Sequence, residues 1–73
     1  MNESEKMVSI SAALDELFAF RGEVTLQTNL IEDLALDSLD IIELQLHLEA
    51  STGVTIANDV VTVTVQDLLV AMQ

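Results

Sequence analysis

Apolar and polar positions along this chain follow two different periods. From Glu3 to Phe20, Met7, Ile10, Leu14, Leu17 and Phe18 recur at helical spacing and predict a first amphipathic helix over 3–20. Asn2, with Glu5 three residues on, resembles a capping box; Arg21 and Gly22 offer a cation for the helix dipole and a stop. From Gly22 to Leu36 the pattern changes. Val24, Leu26, Leu30, Ile31 and Leu34 interleave with Glu23, Thr25, Gln27, Thr28 and Asn29, an alternation that suits a strand. A lone strand has nothing to pair with, so the expectation is an ordered loop pinned by its apolar residues, of a length that is often functional. A second helix is predicted over 38–50, with Asp37 as N-cap accepting from the N–H of Asp40 or Leu39 and Gly53 marking the end. A last helix is predicted from Val65 to Met72, opened by Thr64 and Asp67 in capping-box spacing. Between them, Asn58-Asp59 can cap a short turn of helix. Val60 to Val65 is β-branched and alternating, a strand signal when taken alone, but a sheet edge there again lacks a partner, so the helical reading is preferred. The result is an all-α expectation.

The second helix has an unusual surface. Wound at about 100° per residue, it gathers Leu39, Ile42 and Leu46 on one side and Ile41, Leu44 and Leu48 on nearly the opposite side. Asp40, Glu43 and His47 fill one gap, Gln45 and Glu49 the other. A surface helix ordinarily carries one apolar stripe. In a small protein few elements exist to cover two, so one stripe is expected to pack inward and the other to be offered to a partner, with acids at its rim. Helical phase alone leaves open which is which.

Composition narrows the functions. Seventy-three residues make one domain, 1–73, with a thin core. Thirteen acids stand against Lys6 and Arg21, a formal net charge of −11. That balance excludes phosphate-backbone binding to nucleic acid and disfavours anionic membranes. No run approaches the roughly 20 apolar residues of a membrane span, and no secretory signal is visible, so a cytoplasmic monomer is expected. A protein partner would present a basic patch and associate in a salt-sensitive way. With no cysteine, the chain has neither disulfides nor thiolate chemistry of its own.

One serine stands out. Ser38 lies at the predicted start of the second helix between Asp37 and Asp40. Nucleophilic catalysis needs a base within hydrogen-bond reach. The single histidine, His47, is nine positions along the same helix, about 13 Å away at ~1.5 Å per residue, and no Gly-x-Ser-x-Gly elbow is present. The chain is therefore not expected to be an enzyme, and His47 reads as a partly exposed helix residue. The acids do not match an EF-hand; Glu32, Asp33, Asp37 and Asp40 can bind a divalent cation loosely as charge relief, with no designed metal site. What remains for Ser38 is covalent modification, since a first-turn hydroxyl is exposed and a helix N-terminus favours phosphate. An isolated Asp-Ser pair would more simply be an N-cap.

The longer string Glu32-Asp33-Leu34, Asp37-Ser38-Leu39-Asp40, Glu43-Leu44 changes that balance. Residues 24–49 resemble the acyl carrier proteins, with weaker similarity over the whole chain. The resemblance implies a small four-helix bundle of the acyl-carrier type with a short third helix. It also implies that Ser38 carries 4′-phosphopantetheine, whose thiol holds acyl groups as thioesters. Asp37 would help a phosphopantetheinyl transferase engage Ser38. The second helix would be the recognition surface, with Leu39, Ile42 and Leu46 outward and Asp40, Glu43 and Glu49 meeting basic docking patches on acyl-transfer and chain-modifying enzymes. Ile41, Leu44 and Leu48 would look inward, where they can line a cavity for a short acyl chain. Ala35 stands where the family usually has glycine, and Ala57 where proline is frequent. Residues 58–64 are about two fewer than usual in the third-helix region, and Ala50 and Ser51 replace common acids. Fatty-acid synthesis and a specialised lipid, polyketide or aminoacyl pathway are both compatible with these departures. The alternative from a different class is an acidic helical interaction module without a cofactor.

Overall fold

A computed structural model describes residues 2–57 and 61–72. Among the described residues the regular structure is three helices: α1 (Glu3–Phe18), α2 (Ser38–Thr52) and α3 (Val65–Ala71). α1 packs against both others, and a single core joins Ile10, Ala13 and Leu14 of α1, Leu44 and Leu48 of α2, and Val65, Leu68 and Ala71 of α3. Leu30, Leu36 and Ile56 from the connections complete it. The all-α expectation holds at this level. The turn expected at Asn58-Asp59 lies outside the described residues, and the flanking 54–57 and 61–63 are non-helical.

Each helix begins where a side chain can take an orphan N–H. Asn2 accepts from Glu5 at 2.8 Å, and both α2 and α3 open on complete capping boxes. The predicted ends need correction. α1 stops at Phe18 rather than Phe20, because Ala19 enters the left-handed region at φ 55°. Its N–H bonds the Asp15 carbonyl at 2.9 Å, the single bond of an αL closure, and the Phe20 N–H reaches back to Leu14 at 3.2 Å. Arg21 pairs with Asp15 at 3.1 Å instead of lying over the helix end. Gly22 serves a different purpose from a stop: a Cβ there would meet the Phe20 ring at 2.8 Å, so glycine lets the chain pass over a ring that packs on the core. α2 runs on to Thr52 before Gly53, at φ 73°, ends it. α3 closes at Ala71, one residue short of expectation.

The two segments with strand-like alternation were each denied a partner by sequence reasoning; they partner each other. Asn29 and Thr64 form an isolated antiparallel bridge, with the Leu30 N–H on the Val63 carbonyl at 2.8 Å and the Val65 N–H on Thr28 at 3.0 Å. The Gln66 N–H donates to the Leu26 carbonyl at 3.1 Å. The long loop thereby supplies carbonyls to the first two N–H groups of α3, which a helix cannot satisfy internally. At the opposite end of α3, Lys6 Nζ donates to the Met72 carbonyl at 2.9 Å.

Candidate functional site

The approach to Ser38 is built by a single turn. Asn29 Oδ1 accepts from the N–H groups of Ile31 and Glu32 at 2.9 and 2.8 Å, while Asp33 Oδ2 accepts from the Asn29 N–H at 2.8 Å. Leu30 is buried beneath this turn and Leu34 packs on the core. The turn closes through Ala35 at φ 58°, with the Leu36 N–H on the Leu30 carbonyl at 3.1 Å. Ala35 thus occupies a left-handed position that favours glycine, and Leu36 plugs the core just before the helix begins.

Asp37 and Asp40 then lock the first turn of α2. Asp37 Oδ1 accepts from the Asp40 N–H at 2.9 Å, and Asp40 Oδ2 accepts from the Asp37 N–H at 3.2 Å. Ser38 stands between them as the first helical residue, exposed, and among the described residues its hydroxyl has no hydrogen-bond partner. With the Asp40 and Ile41 N–H groups both taken by Asp37, the N–H groups of Ser38 and Leu39 remain as the donors of this helix end.

The two stripes of α2 resolve clearly. Leu39, Ile42 and Leu46 are 74%, 50% and 60% exposed, whereas Leu44 and Leu48 are fully buried and Ile41 is half-buried. Glu43 is exposed beside the outward stripe. Glu49 is half-buried, and its Oε2 accepts from the Ile56 N–H at 3.0 Å, so this carboxylate fastens the connection after α2 as well as edging the surface. His47 is engaged rather than idle: its Nε2 lies 3.2 Å from Glu16 Oε2, linking α2 to α1 on the flank away from the outward stripe. The acids do not converge. Asp33, Asp37 and Asp40 each cap a backbone group, and the described residues contain no cluster of three or more histidines or acids able to hold a metal ion.

A cleft of about 310 Å³ opens beside Ser38, lined by Ile31, Ile41, Ile42, Gln45, Val61, Thr62 and Val63. Leu44 and Leu48 belong to the central core instead of this cleft. Sequence reasoning missed Ile31, Gln45, Val61 and Val63 as site residues. Their trace was present in the alternation of Val61 and Val63, which puts both on one face of an extended segment.

An exposed serine, a capped turn beneath it and an apolar cleft beside it thus come together at the start of α2. The comparisons give the family. The family model for the phosphopantetheine attachment site matches residues 10–69. An acyl carrier protein of Amoebophilus asiaticus (strain 5a2) is 43% identical over 56 residues, covering 77% of this chain and 68% of that protein. No solved structure matches. The chain belongs to the acyl carrier protein family, and its prosthetic group is 4′-phosphopantetheine. The residues present fit that group: the Ser38 hydroxyl is exposed, two N–H donors stand at the helix end, and the neighbouring cleft is lined mainly by apolar side chains. No described helix is long and apolar enough to cross a membrane.

Proposed function

We propose that Ser38 is the attachment point and that this chain is a non-catalytic carrier that docks through α2. One observation supports this above the others: the exposed Ser38 hydroxyl sits at the start of α2, on a turn made rigid by the Asp37–Asp40 capping box, at the mouth of an apolar cleft. When bound, the arm supplies a terminal thiol that carries acyl groups as thioesters, chemistry absent from a cysteine-free chain. Every other task falls to this chain's residues. Asp37 and Asp40 fix the backbone on which a phosphopantetheinyl transferase must act and place negative charge where its metal-bearing complex engages. Leu39, Ile42 and Leu46 form the apolar centre of the docking face, with Asp40, Glu43 and Glu49 as its acidic rim. Such a face suits acyl-transfer and chain-modifying enzymes that present basic patches. Ile31, Ile41, Val61 and Val63 give the apolar chain of the cargo a surface to lie against.

The same reading takes residues 1–73 as one carrier domain acting as a monomer. It takes the family's small four-helix bundle as the form of the domain, of which three helices lie among the described residues. The pathway is fatty-acid synthesis or a specialised lipid or polyketide route. Ser38→Ala tests the assignment. The variant keeps the wild-type melting temperature, because the hydroxyl supports nothing else in the fold, and loses loading by coenzyme A and transferase. Loading of the Ser38→Ala protein would refute it.

A further inference from the structure

The cleft beside Ser38 changes character along α2. Ser38 opens it, Ile41 and Ile42 follow a turn further on, and Gln45 follows a turn after those. At ~1.5 Å per residue, Gln45 stands about 10 Å along the helix from Ser38. The α2 wall is thus a hydroxyl, an apolar step and a carboxamide, in that order. Gln45 is half-buried, and its Nε2 donates to Thr62 Oγ1 at 3.2 Å. Its Oε1 and its second Nε2 hydrogen are uncommitted among the described residues. No fully buried side-chain polar atom lacks a partner among those residues, so this oxygen is accessible to a ligand.

The geometry points to Gln45 as the residue that docks the unacylated prosthetic arm against α2. The proposal rests on Ser38 being the attachment point. The order of groups along 4′-phosphopantetheine matches the order of side chains along the cleft. The Ser38 and Leu39 N–H groups face the phosphodiester at the helix end. Ile41 and Ile42 meet the branched dimethyl carbon that follows it. Secondary amides come next, and Gln45 can accept from an amide N–H through Oε1 or donate to an amide carbonyl through Nε2. An entirely apolar cleft would strip those amides of water without return, and a carboxamide at this position removes the penalty. The covalent tether makes the contact intramolecular, so one hydrogen bond and a modest apolar contact suffice to hold the arm. Gln45 is in this sense a positioning residue, keeping the arm along the flank of α2 instead of in solvent. Ile42 belongs both to the cleft and to the outward stripe, so an enzyme that covers Ile42 meets the arm where it lies.

The experiment uses isotope-labelled wild type and Gln45→Met, a swap that keeps volume and helix propensity but removes the carboxamide. Both are converted to the holo form with unlabelled coenzyme A and a phosphopantetheinyl transferase, checked by intact mass, and compared with their own apo forms. Isotope-filtered nuclear Overhauser spectra then read protons of the arm against those of the protein. In wild type the arm's methyl groups contact Ile41 and Ile42, and the Gln45 side-chain amide shifts between apo and holo forms. In Gln45→Met the ratio of docked to free arm falls about fivefold, the worth of one net hydrogen bond, and the contacts to Ile41 and Ile42 weaken with it. Wild-type contacts confined to residues next to Ser38, or an unshifted Gln45 amide, overturn the proposal whether or not the variant folds. Contacts of equal strength in wild type and Gln45→Met overturn it as well. Absence of the holo mass would instead overturn the carrier reading, and this proposal with it.

Discussion

Ala35 shows how a single residue records a compromise. It lies at φ 58°, where a Cβ crowds the backbone, and it closes the turn that leads into Leu36 and Asp37. Holding an L-residue there costs about 1–2 kcal/mol, against roughly 0.5–1 kcal/mol of extra chain entropy for glycine. Ala35→Gly should therefore stabilise the fold by up to about 1.5 kcal/mol, read as a rise of a few degrees in a thermal melt; a fall would mean that the turn is not held left-handed. That glycine is usual at this position was legible in the sequence as part of the resemblance, but the reason was not, because a backbone angle has no signature of its own when alanine fills the site. Ser38 is the opposite case. Its neighbours Asp37, Leu39 and Asp40 spell out both a cap and a motif, so position, exposure and candidate chemistry could all be anticipated. Glu49 was legible only in part: it was expected at the rim, but its bond to Ile56 depends on a connection that folds back on α2.

At the scale of elements, α3 is short and owes its start to other segments. Asp67 Oδ2 accepts from the Thr64 N–H at 3.1 Å and the Val63 N–H at 3.0 Å, and these bonds hold its carboxyl below the ordinary 3.8. A folded-state value lower than the unfolded one contributes stability above the ordinary value, and that contribution is lost as pH falls from about 3.8 through the folded value. Asp67→Asn should cost about 1 kcal/mol at neutral pH, since charge-assisted bonds become ordinary ones. The deficit should shrink below pH 3.8. A gap between the two melting curves that is unchanged from neutral to acid pH would contradict this role. α2 supports a different expectation. Its apolar stripe is open and rimmed by acid, so Glu43→Lys should slow turnover of the loaded carrier by a partner enzyme several-fold and flatten its salt dependence, with the melting temperature little changed. Unaltered kinetics would argue that docking uses another surface. α1, α2 and α3 were anticipated to within a turn, because caps and periodicity are local, whereas the helical reading preferred ahead of Val65 fails at 61–63, which is non-helical. The pairing of 28–30 with 63–65 was not, since alternation marks a segment as extended without saying which distant segment completes it.

Taken whole, the molecule keeps Lys6 and Arg21 paired away from α2. Arg21 is tied to Asp15 and Lys6 to the end of α3, while α2 carries Asp40, Glu43 and Glu49 with His47 turned to α1. A formal charge of −11 on so small a body is self-repelling as well as attractive to basic partners. Added salt or millimolar divalent cation should raise the melting temperature by screening, and a melt indifferent to both would show that repulsion is minor. The all-helical class, the single core and the acidic face followed from period and composition. The cleft did not, because it arises where α2 meets an extended segment remote in sequence. All of this geometry centres on Ser38, and the most direct measurement is intact mass after incubation with coenzyme A, magnesium and a broad-specificity phosphopantetheinyl transferase, followed by fragmentation to locate the added group. A single phosphopantetheine on Ser38, with Ser4, Ser9, Ser11 and Ser51 unmodified, is the predicted result. A folded protein that gains no mass, or gains it on another serine, would contradict the account.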